Sequence, residues 1–152
     1  MAELKATVGV LRADGDAPRL PVAGLAATED LFALVRDAGL CLDAEVIGRP
    51  RPLPAAVDRA AYRILQESLT NVLRHAHAGR VTVTVRYQPA AVVIEVTDDG
   101  RGSAEQGIGQ PGHGIAGMTE RAAALRGSLQ AGRTSDGGFR TLAVLPTDAA
   151  AP

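Results

Sequence analysis

Several residue types are scarce in this chain, and each shortage excludes a class of site. The only lysine, Lys5, is followed by alanine, so the Gly-Lys-Ser/Thr motif of a P-loop is excluded. No serine stands in a G-x-S-x-G turn, which excludes a hydrolytic triad built on that motif. The single cysteine, Cys41, has no partner for an intramolecular disulfide. Its place in the apolar run Leu40–Leu42 predicts a small buried side chain.

The sequence also lacks a long apolar run and an excess of one charge. Lys and Arg number 16 and Asp and Glu number 17, which gives a formal net charge of -1. This balance leaves no basic footprint for nucleic acid and no cationic face for a membrane. Neither a transmembrane segment nor a signal peptide is found. With 46% hydrophobic residues in 152 positions, we expect one globular domain in the cytoplasm.

Glycine and proline divide the chain into predicted elements. We predict a helix from an N-capping Thr28 to Gly39, then a strand in "LCLDAEVIG" and a proline-rich connector that ends at Pro54. The apolar spacing of "AAVDRAAYRILQESLTNVLRHA" predicts the longest helix. Beyond it we predict a hairpin of "VTVTVRY" and "AVVIEVTD", a glycine-rich loop, a helix in "GIAGMTERAAALRG" and strands in "SLQAG" and "FRTLAVLP".

The longest predicted helix carries a polar row beside its apolar face. The apolar arc consists of Ala61, Leu65, Leu69, Val72 and Ala76. Glu67, Asn71 and His75 are spaced four residues apart and therefore stack along the edge of that arc. Oxygen atoms in such a row can coordinate a hard cation such as Mg²⁺ while leaving positions for phosphate and water. A solvated polar edge is the alternative interpretation of the same spacing.

A second candidate site lies where an apolar strand runs into two aspartates. In "VVIEVTDDGRG" the strand leads to Asp98, Asp99, Gly100 and Gly102. A carboxylate at a strand end can accept a hydrogen bond from an amino group such as that of adenine, and glycines permit close approach of a ligand. Without other signals, an ordinary Asp-Gly turn explains the same residues.

The stretch "GHGIAGM" contains the pattern G-x-G-x-x-G of dinucleotide-binding folds. That fingerprint needs a strand directly before its first glycine, whereas Gly112 follows the polar segment "SAEQGIGQP". Asp136 has roughly the spacing of a ribose-binding acid but lies in the turn-like "TSDGG". We therefore predict no dinucleotide site. The glycines still open a helix whose N–H groups attract phosphate, with His113 as a basic contact.

Taken together and in this order, "QESLTNVLRHA", "DDGRG" and "GHGIAGM" resemble the N, G1 and G2 boxes of the ATP-binding domain of bacterial sensor histidine kinases. That domain has the Bergerat fold, which is shared with gyrase, mismatch-repair ATPases and certain chaperones. The chain is most similar to the subfamily that signals to helix-turn-helix response regulators. The resemblance covers roughly Leu20–Pro146. It implies an α/β two-layer sandwich in which helices cover one face of a mixed, mostly antiparallel sheet.

The resemblance also implies roles for individual residues. Asn71 would ligate the Mg²⁺ that bridges the ATP phosphates, and Glu67 would position or deprotonate the phosphoryl acceptor. Asp98 would accept the adenine amino group. The other implied nucleotide contacts are His75 near the phosphates, Gly100 and Gly102 beneath the adenine, and Gly112, His113 and Gly114 at the phosphate-facing end of a lid formed by Ser103–Pro111.

Two departures from the family pattern affect these expectations. Phe139 stands where many relatives have a threonine beside the adenine-binding aspartate. Thr141, two residues further along the same strand face, could supply the hydroxyl instead. No histidine precedes His75, so the phosphoryl acceptor that a complete kinase carries upstream of this domain is missing.

The resemblance implies that residues 1–20 are the end of a dimerisation helix and a linker, 21–147 the ATP-binding domain and 148–152 a disordered tail. Such a domain would bind Mg·ATP and transfer the γ-phosphoryl group to a histidine on a dimerisation domain, for relay to a response regulator. By itself it would be a monomer that does not phosphorylate itself or contact nucleic acid or membrane. Two alternatives stay open, an anti-sigma-factor serine kinase of the same fold and a non-catalytic nucleotide-binding interaction module.

Overall fold

The order of helices and strands agrees with the sequence prediction. The structure is a computed structural model and describes residues 24–100 and 113–147, apart from the side chains of His75, Ala76 and His113. A short 3₁₀ helix at Leu25–Ala27 leads into the helices α1 (Thr28–Asp37), α2 (Ala55–Asn71) and α3 (His113–Ala124). The strands are β1 (Cys41–Ile47), β2 (Arg80–Gln88), β3 (Ala91–Asp98), β4 (Ser128–Arg133) and β5 (Phe139–Pro146).

The five strands form one sheet in the order β1-β2-β3-β5-β4. β1 pairs with β2 in parallel, and the other three neighbouring pairs are antiparallel. Asp98, the last residue of β3, lies opposite Val81 on one side and Phe139 on the other. The predicted mixed, mostly antiparallel sheet is confirmed, and its pairing holds Asp98 between two neighbouring strands.

The core lies between the sheet and the helices. Alternate residues of the central strands face the helices, as the two-residue period of a strand requires. The predicted apolar arc of α2 is confirmed where the structure describes it, because Ala61, Leu65, Leu69 and Val72 are all buried. From the other helices, Val35 and Met118 are each 1% exposed. Burial of each large apolar side chain stabilises the fold by about 1.5–3 kcal/mol.

The opposite face of the sheet carries the charged side chains of the central strands, together with apolar residues such as the buried Val93. Glu95 accepts a hydrogen bond from Nε of Arg140 at 2.6 Å and lies 3.8 Å from Nη2 of Arg86. Exposed ion pairs of this kind contribute about 0–1 kcal/mol each, so the apolar face supplies most of the stability. Across the two described ranges, no helix combines the length and the apolar character that crossing a membrane requires.

Two local predictions were wrong. α1 begins at Thr28 itself and Ala27 is its N-cap, because the 3₁₀ helix leads directly into it. Cys41 is exposed and not buried. It begins an edge strand in which the neighbouring Leu42 faces the helices, so Cys41 faces the open side of the sheet.

Candidate functional site

Two of the predicted site segments, the second half of α2 and the start of α3, are in contact. A Cβ atom added to Gly114, in the first turn of α3, would lie 2.4 Å from Oε2 of Glu67. Further along both helices, the hydroxyl of Ser68 donates a hydrogen bond to Sδ of Met118 at 3.4 Å. α2 also packs against β3, which ends at Asp98, and against the neighbouring β5. The fold therefore gathers residues that are distant in sequence around the second half of α2.

The helical geometry of α2 changes directly after Asn71. Val72–Ala76 form a π-helical turn, and His77 follows in the left-handed conformation with φ 50°. Such wider turns are rare and occur frequently at functional sites. Asn71 and Glu67 are both partly exposed and remain accessible to a ligand. The side chain of His75 lies outside the described part, so its position near the phosphates stays a prediction.

Asp98 is a buried carboxylate, only 6% exposed. Its Oδ1 accepts a hydrogen bond from the backbone N–H of Gly100 at 2.8 Å. Burial raises the pKa of Asp98, and the hydrogen bond from Gly100 only partly opposes this rise. A buried carboxylate with a raised pKa at a strand end is typical of a binding or catalytic site.

The backbone at the start of β5 approaches Asp98 very closely. A Cβ on Gly138 would lie 2.0 Å from the carbonyl oxygen of Asp98, so only glycine fits there. Further along β5, Thr141 is 5% exposed and lies on the same face as Asp98 and the partly buried Phe139. Thr141, whose hydroxyl could replace that of the threonine that relatives have at the position of Phe139, is thus buried on the helix-covered face. Sequence reasoning missed Gly138, because "DGG" is equally typical of a simple turn.

Asp99 was named with the second candidate site, but the sequence indicated no role for it. Its Oδ1 accepts hydrogen bonds from the backbone N–H groups of Gly79 and Arg80, both at 3.0 Å. Its own N–H donates to the carbonyl of Arg80 at 3.2 Å. The two bonds from Arg80 and Gly79 hold the pKa of the Asp99 carboxyl below its usual value. The adjacent aspartates therefore differ, since Asp98 is buried with a raised pKa whereas Asp99 is exposed with a lowered one.

Several predicted site residues lie outside the described residues. These are Gly102, Gly112, the lid Ser103–Pro111 and the side chain of His113. Gly100 is described and buried. Within residues 24–100 and 113–147, no group of three His, Cys, Asp or Glu side chains is arranged to hold a metal ion. Metal binding by Asn71 stays a prediction.

Comparisons with known proteins agree on one family. The family described as histidine kinase-, DNA gyrase B-, and HSP90-like ATPase matches residues 56–149. Sensor histidine kinase YxjM of Bacillus subtilis (strain 168) is 33% identical over 127 residues, which cover 81% of this chain and 30% of that protein. Nitrate/nitrite sensor protein NarX of Escherichia coli (strain K12) is 35% identical over 89 residues, which cover 59% of this chain and 15% of that protein.

Solved structures show the same fold. Acinetobacter baumannii histidine kinase AdeS aligns with a TM-score of 0.61 at 17% identity, over 97% of this chain and 78% of that chain. At this identity the likeness establishes the fold alone. The chain spans about a third or less of the length of curated relatives it matches, with shares of 30%, 24% and 32%. Its relatives therefore contain much more than the part that is compared.

Proposed function

This chain belongs to the family of histidine kinase-, DNA gyrase B-, and HSP90-like ATPases, and on that premise we propose that it binds Mg·ATP. It would transfer the γ-phosphoryl group to a histidine of a dimerisation domain, for relay to a response regulator. The observation that carries the proposal is the buried Asp98, which ends a strand packed against α2, while Glu67 of α2 contacts the start of α3. Relatives that are named sensor histidine kinases favour histidine over serine as the acceptor. In this proposal residues 1–20 comprise the end of a dimerisation helix and a linker, and residues 21–147 form the ATP-binding domain.

Asp98 is the proposed adenine contact. One oxygen of its carboxylate accepts the N–H of Gly100, and a carboxylate has further lone pairs that can accept the exocyclic amino group of adenine. Because the carboxylate is already desolvated, a hydrogen bond from a ligand replaces little water and contributes strongly to affinity. Thr141, buried on the same face, would assist directly or through a water molecule.

Asn71 is the proposed ligand of Mg²⁺. Its amide oxygen is of the type that Mg²⁺ prefers, and the side chain is partly exposed at the end of α2. In nucleotide sites Mg²⁺ keeps water and phosphate oxygens in most of its coordination positions, so one or two protein oxygens suffice. When bound, the ion neutralises charge on the phosphates. The N–H groups of the first turn of α3, including that of Gly114, would bind the phosphate oxygens.

Glu67 is the proposed proton acceptor. In the transfer, a bond forms between an imidazole nitrogen and the γ-phosphorus, the bond from that phosphorus to the bridging oxygen breaks, and ADP leaves with the electron pair. The nitrogen that attacks is the unprotonated one of the neutral imidazole, and the proton on the other ring nitrogen passes to the carboxylate of Glu67. Contact with Gly114 places this carboxylate beside the helix start that would face the phosphates. Phosphoryl transfer needs such positioning more than covalent help from the protein.

Calorimetric titration of ATP and ADP, with and without Mg²⁺, tests the nucleotide site. We expect saturable binding that Asp98→Asn weakens severely. Glu95→Gln is the matched control, because Glu95 lies on the same strand but on its opposite face, paired with Arg140. Its affinity for ATP should equal that of the unchanged protein. Absence of binding, or equal losses in the two variants, would contradict the proposal.

Two further variants separate the metal from the transfer step. Asn71→Ala should lose the gain in ATP affinity that Mg²⁺ provides. Glu67→Ala should still bind Mg·ATP but transfer phosphate slowly to a histidine-bearing dimerisation domain supplied as a separate protein, measured as acid-labile phosphate. Transfer at the normal rate by Glu67→Ala would exclude it as proton acceptor.

A further inference from the structure

Asp99 connects the end of β3 to the turn that follows α2. Its carboxylate binds two consecutive backbone N–H groups, those of Gly79 and Arg80, and its own N–H binds the carbonyl of Arg80. The turn at residues 77–80 comes directly after the π-helical turn that begins next to Asn71. The carboxylate of Asp99 is therefore bonded eight and nine residues beyond Asn71, directly after the π-helical turn, and Asp99 is the immediate neighbour of Asp98.

The same turn is held on its other side by β1. The N–H of Cys41 donates to the carbonyl of Gly79 at 3.0 Å, and the side chain of Arg80 is paired with Asp43. Ala78 is partly buried against the core. These contacts keep the turn folded when the carboxylate of Asp99 is removed. Arg80 also stays joined to the end of β3 through the backbone N–H of Asp99 and the pairing of Val81 with Asp98, whereas Gly79 loses its hydrogen bond to β3 and is then bonded only to β1. Removal of Asp99 should therefore loosen the turn relative to Asp98 without unfolding it.

The backbone position of Asp98, in contrast, does not depend on the side chain of Asp99, although the charge of Asp99 contributes to the raised pKa of Asp98. Asp98 is paired in register with Val81 and Phe139, and the backbone of Gly138 packs against its carbonyl. The two halves of the proposed nucleotide site thus differ in their attachment. The adenine half is fixed by the sheet, whereas the turn that follows α2 is joined to it by the side-chain hydrogen bonds of Asp99 in addition to helix packing and the β2–β3 pairing.

We propose that Asp99 is a positioning residue that sets the end of α2, and with it Asn71, relative to Asp98. Asp99 touches neither the nucleotide nor the metal and acts through the turn 77–80. Phosphate and metal contacts are sensitive to displacements of about 1 Å, so a loosened turn should impair the Mg²⁺-dependent part of ATP binding before the adenine part. The inference rests on the proposed function, because it assigns Asn71 and Asp98 to one nucleotide site.

The test compares Asp99→Ala and Asp99→Asn in the same chain. The measured quantity is the ratio of the ATP dissociation constants without and with Mg²⁺, from calorimetry. Asp99→Ala should lower this ratio about three- to tenfold, whereas Mg²⁺-free ADP should bind within about twofold of its normal affinity. Asp99→Asn should restore the ratio, because an amide oxygen can accept the same two N–H groups.

Asp43→Ala serves as the matched control. It removes a side-chain contact of the same turn from the β1 side and should leave the ratio unchanged. Amide hydrogen exchange of Gly79 and Arg80 supplies a readout without nucleotide, and exchange should be faster in Asp99→Ala than in Asp99→Asn.

The possible outcomes separate this inference from the proposed function. If the unchanged protein binds no nucleotide, both are overturned. If the unchanged protein binds Mg·ATP but Asp99→Ala leaves the ratio of dissociation constants unchanged, the positioning role alone is overturned. The same holds if Asp99→Ala lowers the affinity for Mg²⁺-free ADP as much as it lowers the affinity for Mg·ATP. The positioning role is also overturned if Asp99→Asn lowers the ratio as much as Asp99→Ala does, since the role needs only an acceptor oxygen.

Discussion

The two ends of the sheet use their polar groups in different ways. At the end where β2 and β3 are joined, which we name the Arg51 end, Nη2 of Arg51 donates to the carbonyl of Gln88 at 2.6 Å and to Oγ1 of Thr147 at 3.1 Å. The guanidinium also lies 6.0 Å from the ring centre of Tyr87. At the opposite end, which we name the Asp98 end, the most prominent polar group is a carboxylate whose pKa is raised by burial.

This difference separates a stabilising arrangement from a functional one. A single donor group of Arg51 holds together the β2–β3 connection, the end of β5 and the connector before α2. Burial of Asp98 costs free energy that the hydrogen bond from Gly100 only partly offsets. A group that weakens the fold is retained where it can bind a ligand. Stability and binding should therefore respond separately to mutations at the two ends.

A pair of glycine substitutions should have the largest effect. A Cβ on Gly138 would lie 2.0 Å from the carbonyl of Asp98, and one on Gly48, where φ is +86°, would lie 2.4 Å from the carbonyl of Tyr87. Both atoms belong to the backbone and cannot move aside cheaply, so Gly138→Ala and Gly48→Ala should each destabilise the protein by about 2–4 kcal/mol in urea unfolding. Only Gly138→Ala should also weaken ATP binding by the folded protein. Equal ATP affinities in the two variants would refute the separation of the ends.

Asp98→Asn should produce opposite changes in binding and stability. The carboxylate already faces the backbone N–H groups of Gly100 and Phe139, and an amide has only one acceptor oxygen to share between these and adenine, so ATP affinity should fall about 10- to 100-fold. At neutral pH the free energy of unfolding should rise, because a buried ionised group is replaced by a neutral one. Calorimetry and urea unfolding measure the two effects. A less stable variant would mean that the carboxylate contributes to the fold.

Arg51→Ala should lower the stability of the protein and leave its ATP affinity unchanged. Loss of its hydrogen bonds to Gln88, Pro89 and Thr147 should lower the free energy of unfolding by about 1–2 kcal/mol. ATP affinity should remain within about twofold of normal, because none of these contacts reaches Asp98. A large loss of ATP affinity in a folded Arg51→Ala protein would show that the two ends are coupled.

The smallest effect should be a pair of opposite pH dependences at the Asp98 end. Asp98 has a raised pKa, so its ionised form lowers the free energy of unfolding at neutral pH. This destabilisation disappears as the pH falls below about 3.9, the pKa of an aspartate in the unfolded chain. Asp99 has a lowered pKa, so its contribution is present above about 3.9 and is lost as the pH falls through its folded-state value. Relative to the unchanged protein, Asp98→Asn should thus be more stable and Asp99→Asn less stable at neutral pH, and both differences should shrink on acidification. Urea unfolding at several pH values checks the two signs.

The elements that sequence predicted well are those with strong local periodicity. The arc of Ala61, Leu65 and Leu69 specifies which face of α2 is buried, whatever the sheet looks like. Likewise, two β-branched runs separated by "QPA" specify the β2–β3 hairpin without knowledge of its neighbours. The place of Asp98 at the end of an apolar strand could also be predicted, because a strand end is a local feature, whereas its contact with adenine stays a prediction.

What sequence could not supply depends on contacts between distant segments. Cys41 is exposed because β1 is at the edge of the sheet, and strand order is not encoded in the run Leu40–Leu42. The requirement for glycine at Gly138 comes from the carbonyl of Asp98 on another strand. The role of Asp99 follows from a turn after α2, which an Asp-Asp pair alone does not reveal.

The exposed Cys41 has a practical consequence. Because it is the only cysteine, a thiol-reactive fluorophore or spin label would attach at a single position without prior mutagenesis. Its backbone N–H is bonded to Gly79, within the turn that Asp99 holds from the other side. A probe there would report the environment of this turn in real time, so nucleotide addition could be followed as a spectroscopic signal even when no chemistry occurs.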